Sequence, residues 1–209
     1  MFTKKNLFAF FAAFSIGATA LATTITATGS GWCNQNNCNN TNTSVINNHY
    51  ASIENGTDYR DWFAFDLSSQ SGNTIIQASL NIYNSQYNRA SALGDLFNLV
   101  EAGSITYSSL VGGPVLGSVS AGVADTGINH FVTVTLNANG LAALNATGTN
   151  PFIFGGSTAS TSQFFGYTGG TPIATLDVTS AAVPEPTTVA LLGLGLLGVA
   201  TSRRKAAKK

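Results

Sequence analysis

Lysine is missing from most of this chain. Seven of its basic residues, Lys4, Lys5, Arg203, Arg204, Lys205, Lys208 and Lys209, lie at the two extreme ends, which leaves only Arg60 and Arg89 between Thr23 and Ala182. Against them stand Glu54, Asp58, Asp61, Asp66, Asp95, Glu101, Asp125 and Asp177, so the middle of the chain carries a net charge of −6 although the whole sums to zero. Nucleic acids are gripped by clustered Lys and Arg that displace counterions from phosphates, and an acidic, lysine-free body excludes that class of partner. Histidine is almost as scarce. His49 and His130 are far apart and no H-E-x-x-H pattern joins them, so the usual zinc arrangements are missing. Cys33 and Cys38 are the only cysteines, too few ligands for a structural zinc site. Catalytic serine signals are also absent: Gly155-Gly156-Ser157-Thr158-Ala159 lacks the last glycine of a nucleophile elbow and no histidine follows it. Ser157 therefore reads as a turn serine.

What is present falls into segments. The 209 residues suffice for one ordinary domain plus processing signals. Lys4 and Lys5 precede an apolar stretch from Leu7 to Leu21 that ends on the small residues Ala20 and Ala22. That order is a secretory signal peptide, 1–22, with cleavage expected after Ala22 and Ala20 as the alternative. Residues 23–50 follow as a lead-in dominated by Asn, with eight asparagines from Asn34 to Asn48. From Gly29 to Asn48 so polar a segment has little to bury and reads as loop-rich, pinned in part by Trp32 and the Cys33 and Cys38 pair. Export would place Cys33 and Cys38 in an oxidising compartment, where a local disulfide is expected.

From residue 51 the periodicity becomes two. Tyr59 to Leu67 sets Phe63, Phe65 and Leu67 on one face against Trp62, Ala64 and Asp66, and Ile76, Ala78, Leu80 and Ile82 alternate with Gln77, Ser79, Asn81 and Tyr83. Further short strands are expected at Asp95–Val100, Val115–Val119, Phe131–Leu136, Pro151–Phe154, Gln163–Tyr167 and Ile173–Val178, with a helical turn or two at Asn139–Asn145 capped by Asn139. The fold class is all-β: an antiparallel β-sandwich or jelly-roll-like ectodomain over 51–180.

Candidate chemistry in this ectodomain is sparse. Asp58, Asp61, Glu54 and Asn55 offer hard oxygen ligands that could hold calcium, without matching a calcium-loop pattern. Asp58, Asp61, Asp66, Glu101 and Asp125 could supply a glycosidase carboxylate pair, which the sequence does not bring across a cleft. Trp62, Tyr83, Tyr87 and Tyr107 could stack sugar rings, although Trp62 fits packing on the second sheet face better. Asn39, Asn42, Asn55 and Asn145 each head a glycosylation sequon. No catalytic residue, metal or cofactor is assigned, and the expectation is a protein that is not an enzyme.

The last segment, 181–209, has three parts in a fixed order. Val183-Pro184-Glu185-Pro186 comes first, an uncharged run from Thr187 to Thr201 second, and Arg203-Arg204-Lys205 within the basic tail 203–209 third. As a helix the run would measure about 22 Å, short of the roughly 30 Å of bilayer hydrocarbon, so this transmembrane run is a marginal span. The basic residues would hold that end in the cytoplasm. Gly193, Gly195 and Gly198 spell a dinucleotide fingerprint, but it sits inside the apolar run, no strand precedes it and too little chain follows for its acidic partner.

The Pro-Glu-Pro element, the Leu and Gly stretch and the basic cluster together resemble the PEP-CTERM sorting domain. That resemblance implies a Gram-negative type of envelope and recognition of Pro184, Glu185 and Pro186 by an exosortase that removes the tail. It assigns Arg203, Arg204 and Lys205 to membrane retention before release to the cell surface or matrix, and it implies a link to exopolysaccharide. Tyr59 to Leu67, followed by Ala78-Ser79-Leu80, resembles the opening strands of β-sandwich ectodomains carried by such proteins. Two roles follow as expectations: a non-catalytic envelope or matrix protein, or a carbohydrate-binding module gripping matrix glycans.

Overall fold

The structure is a computed structural model that describes residues 20–38, 51–84, 95–120, 130–147, 151–159, 161, 164–165, 174–183 and 193–195. Ala20–Val183 form one compact unit. The other comprises Met1–Thr19 and Pro184–Lys209, of which only 193–195 are described, in helical conformation. No helix among the described residues is long and apolar enough to cross a membrane. The expected signal peptide and transmembrane run otherwise lie outside the described residues.

Among the described residues ten strands build two antiparallel sheets: β1 (Ala20–Thr26), β2 (Gly29–Cys33), β3 (Ser52–Glu54), β4 (Thr57–Phe65), β5 (Asn73–Asn84), β6 (Leu96–Glu101), β7 (Gly117–Ser120), β8 (His130–Thr135), β9 (Phe152–Thr158) and β10 (Ala174–Ala182). One sheet has the order β1-β10-β5-β8, and the other the order β2-β4-β9-β6-β7 with β3 paired to β4. Phe63, Phe65, Leu80, Ile82, Leu99, Phe154 and Leu176 turn inward between them and join one buried core. Burying a large apolar side chain is worth roughly 1.5–3 kcal/mol. This core therefore supplies most of the drive to fold. The all-β expectation holds.

Several local expectations do not. The lead-in begins as strand, because β1 and β2 take edge positions in the two sheets. Gly29 suits β2 because a Cβ there would come within 3.2 Å of the Trp62 ring, so the missing side chain makes room for a large neighbour. In β5 the inward residue is Ile75, not Ile76. Pairing slips from Thr179↔Gln77 to Ser180↔Ile75, so Ile76 is the extra residue of a bulge and faces outward, 46% exposed. Ser157 stands in β9 opposite Asn98 rather than in a turn. Of the expected strand Gln163–Tyr167 the described residues are Phe164, which forms an isolated bridge to Ala51, and Phe165, which is left-handed at φ 63°; the other three lie outside the described residues. Both rings are buried beside Phe97, and consecutive residues of a regular strand would point to opposite faces.

The helix α1 (Ala138–Thr147) is capped by Asn137, whose Oδ1 accepts the Gly140 amide at 3.1 Å, not by Asn139. Asn145 ties this helix to the bulge. Its side chain accepts from the Ile75 N–H at 2.8 Å and donates to the Ile75 carbonyl at 2.9 Å, acting as a strand neighbour would. That sequon amide is thus engaged.

Candidate functional site

The outer face of the larger sheet is covered. Cys33, Trp62, Ala102 and Leu110 form a second buried cluster, with Ala64, Ile105, Tyr107 and Ile153 packed around it. The cover is the segment after β6, which carries a short 3-10 turn at Tyr107–Leu110. Thr106 and Ser109 cap that turn reciprocally. Gly155 of β9 lets the cover approach, since a Cβ there would lie 2.7 Å from the Leu110 backbone. Arg60 of β4 clamps it from below. Its guanidinium donates to Asp58 Oδ2 at 2.9 Å, to the Tyr107 carbonyl at 2.7 Å and to the Tyr107 hydroxyl at 2.9 Å, and its Cζ sits 3.6 Å from the Tyr107 ring centroid. Tyr107 in turn donates to Asp58 Oδ2 at 2.8 Å. Burial, and then the hydrogen bond to Asp58, push the Tyr107 phenol above its ordinary value.

Cys33 and Cys38 are joined at 2.03 Å beside this cluster. The chain between them is turned by Asn34, whose Oδ1 accepts the amides of Asn36 and Asn37 at 3.0 and 2.8 Å. Trp32 packs edge-to-face on Tyr59 at 5.4 Å between centroids.

This arrangement redistributes the expected chemistry. Trp62 is only 3% exposed and Tyr107 is engaged by Arg60, so neither offers a free stacking surface; Tyr87 lies outside the described residues. Asp58 shares the outward face of β4 with Arg60, whereas Asp61, three positions on, belongs to the inward face and is fully buried. The two therefore cannot share one calcium ion or flank one substrate. Asn55 and Gly56 form the two-residue hairpin turn between β3 and β4, at φ 50° and 79°. The Asn-Gly pair is the strongest short hairpin signal and accounts for Asn55 without a metal. Among the described residues no group of His, Cys, Asp and Glu could hold a metal ion. Asp66 is exposed at the end of β4, where its Oδ1 accepts the Ser68 amide at 2.8 Å, and Glu101 is exposed at the end of β6. Asp125 and His49 lie outside the described residues, and His130 opens β8.

The smaller sheet differs. Its outer face carries an open groove of about 740 Å³ lined by residues of β1, β10, β5 and β8 together with Leu136 and Leu141.

Ala20 pairs with Ala181 and Ala182 with Asn73, so β1 starts and β10 ends at the same end of this sheet. Val183 follows, its N–H directed at the Gly72 carbonyl at 3.5 Å. Residues 182–205 match the model of the PEP-CTERM protein-sorting motif. The chain carries a PEP-CTERM sorting signal. The match starts on the last residue of β10, and within it Pro184, Glu185, Pro186, Arg203, Arg204 and Lys205 lie outside the described residues. No characterised protein matches the chain in sequence. Among solved structures, the CBM22-1 and GH10 modules of the Clostridium thermocellum N-terminal endo-1,4-beta-D-xylanase 10B, complexed with xylohexaose, are similar over 78% of this chain and 28% of that one, at 9% identity and a TM-score of 0.30. The chain thus spans under a third of that protein, and so loose a likeness carries no argument about ligand or activity.

Proposed function

We propose that this chain is an exported cell-surface or extracellular-matrix protein, processed by an exosortase, whose β-sandwich has a non-catalytic structural or interaction role associated with exopolysaccharide. The observation that carries the reading is the PEP-CTERM motif at 182–205, joined directly to β10. Prolines on either side of Glu185 disfavour helix at the recognition element. The uncharged run and basic cluster serve as a temporary inner-membrane anchor. In this reading cleavage after Ala22 leaves Thr23–Thr26 of β1 paired with Thr175–Val178, so the sheet keeps its edge strand.

The test is a Pro184→Ala, Pro186→Ala double variant expressed in the native host and followed by fractionation and intact mass. The variant should stay in the inner membrane with its tail attached. Normal trimming and surface delivery would refute the sorting role of the motif.

A further inference from the structure

We propose that the outer face of the four-stranded sheet is a binding groove for a neutral polysaccharide, which runs along β5. This deepens the reading of the ectodomain as a polysaccharide-associated module and rests on it.

The polar part of the groove lining consists of hydroxyls, an amide and one carboxylate, from Thr24, Gln77, Ser79, Thr135, Asp177 and Thr179, and the apolar part includes Ile76, Leu136 and Leu141. A hydrogen-bonded row crosses all four strands. Thr24 donates to Asp177 Oδ1 at 2.6 Å, Asn81 donates to Asp177 Oδ2 at 2.8 Å, and Thr133 donates to Asn81 Oδ1 at 2.7 Å. These side chains are held in place before any ligand arrives, which lowers the ordering cost of binding. Along β5 the outward positions Gln77, Ser79, Asn81 and Tyr83 form a line of about 20 Å at the rise of an extended strand. Apolar contacts stand at both ends. The bulge turns Ile76 out at one, and at the other Tyr83 meets Phe131 with ring centroids 5.4 Å apart, Phe131 being 43% exposed.

A linear sugar chain has the complementary chemistry. Its hydroxyls both donate and accept, as the row of Thr, Ser, Asn and Asp requires, and its ring faces are apolar enough to rest on Tyr83, Phe131 and Ile76. Charge selects the neutral class. Arg60, the sole Arg or Lys among the described residues of the sandwich, is on the other sheet and held by Asp58 and Tyr107, so the described charge that a uronate or sulfate would meet in the groove is the Asp177 carboxylate.

Affinity electrophoresis of the full chain in detergent micelles tests this, with dextran, xylan and hydroxyethylcellulose as neutral probes and alginate as the anionic one. At least one neutral polymer should retard the protein and alginate should not. Asn81→Ala, Asp177→Ala should weaken that retardation by about tenfold or more, Phe131→Ala should weaken it as well, and Tyr107→Phe on the opposite face should leave it unchanged. Circular dichroism of each variant reports that the sheets remain. No retardation by any neutral probe, equal retardation of folded groove variants, or stronger retardation by alginate would overturn the proposal. Sorting of the tail is measured separately, so failure of the groove and failure of the sorting reading are distinguishable.

Discussion

The two outer faces of the sandwich are built from the same alternation of side chains and end in opposite states. On β4 the outward residues are Arg60, Trp62 and Ala64, and the segment after β6 folds down over them with a disulfide at the margin. On β5 the outward residues are Ser79, Asn81 and Tyr83; Asn81 hydrogen-bonds sideways to the neighbouring strands and the Tyr83 ring packs on Phe131, with no cover in place. A large apolar residue with an adjacent glycine, as in Trp62 with Gly29 and Gly155, draws a cover because burial is favourable. A row of Thr, Asn and Asp is stable in water and leaves the face available. Period-two patterning thus decides which residues point outward, and their chemistry decides whether that surface becomes core or contact face.

Substitutions should separate the faces by magnitude. Trp62→Ala opens a cavity under the cover and should cost about 3–5 kcal/mol in urea unfolding. Arg60→Ala removes the clamp and leaves Asp58 and Tyr107 without their charged partner. Because the pair is partly exposed, a loss of about 2 kcal/mol is expected by the same assay. Cys33→Ser, Cys38→Ser opens so short a loop that about 2 kcal/mol is the most it should cost, with the β-sheet circular dichroism signal retained. The raised Tyr107 phenol gives a smaller, pH-limited effect. Folded protein holds this proton more tightly than unfolded chain, so the contribution is complete below the ordinary phenol value near 10 and is lost as pH climbs through the higher folded value. Ultraviolet titration should show a late-ionising phenol, and Tyr107→Phe should abolish that step. Least of all, Asn81→Ala on the open face should change unfolding free energy by no more than about 0.5 kcal/mol. A large loss there would mean that the polar row holds the sheet together, and the contrast between the faces would fail.

The sequence made some of this contrast readable. Alternation around Phe63 and Leu80 identified the core faces, and Trp62 was legible as second-face packing. The strands of the lead-in were not, because Gly29-Ser30-Gly31 has no side-chain pattern and owes its extended state to Trp62 across the sheet. The bulge at Ile76 was hidden for a related reason: Ile75 and Ile76 are equally apolar, and pairing with β10 together with Asn145 decides which turns inward. Asn55-Gly56 is a hairpin signal in its own right, and the turn outweighs the oxygen of Asn55 as a metal ligand. The polar row could not be foreseen, since Thr24, Asn81, Thr133 and Asp177 come from four distant segments that meet only in the folded sheet. The sorting motif, by contrast, is local and contiguous, and was therefore legible at once.

The central claim is that export and tail removal bracket the sandwich. Intact mass of the protein recovered from the cell surface or medium of the native host tests it most directly. The expected mass is that of a chain that starts at Thr23, or at Leu21 if the alternative site is cut, ends before Arg203 and lacks two hydrogens for Cys33 and Cys38. A mass that retains Arg203, Arg204 and Lys205 would contradict it.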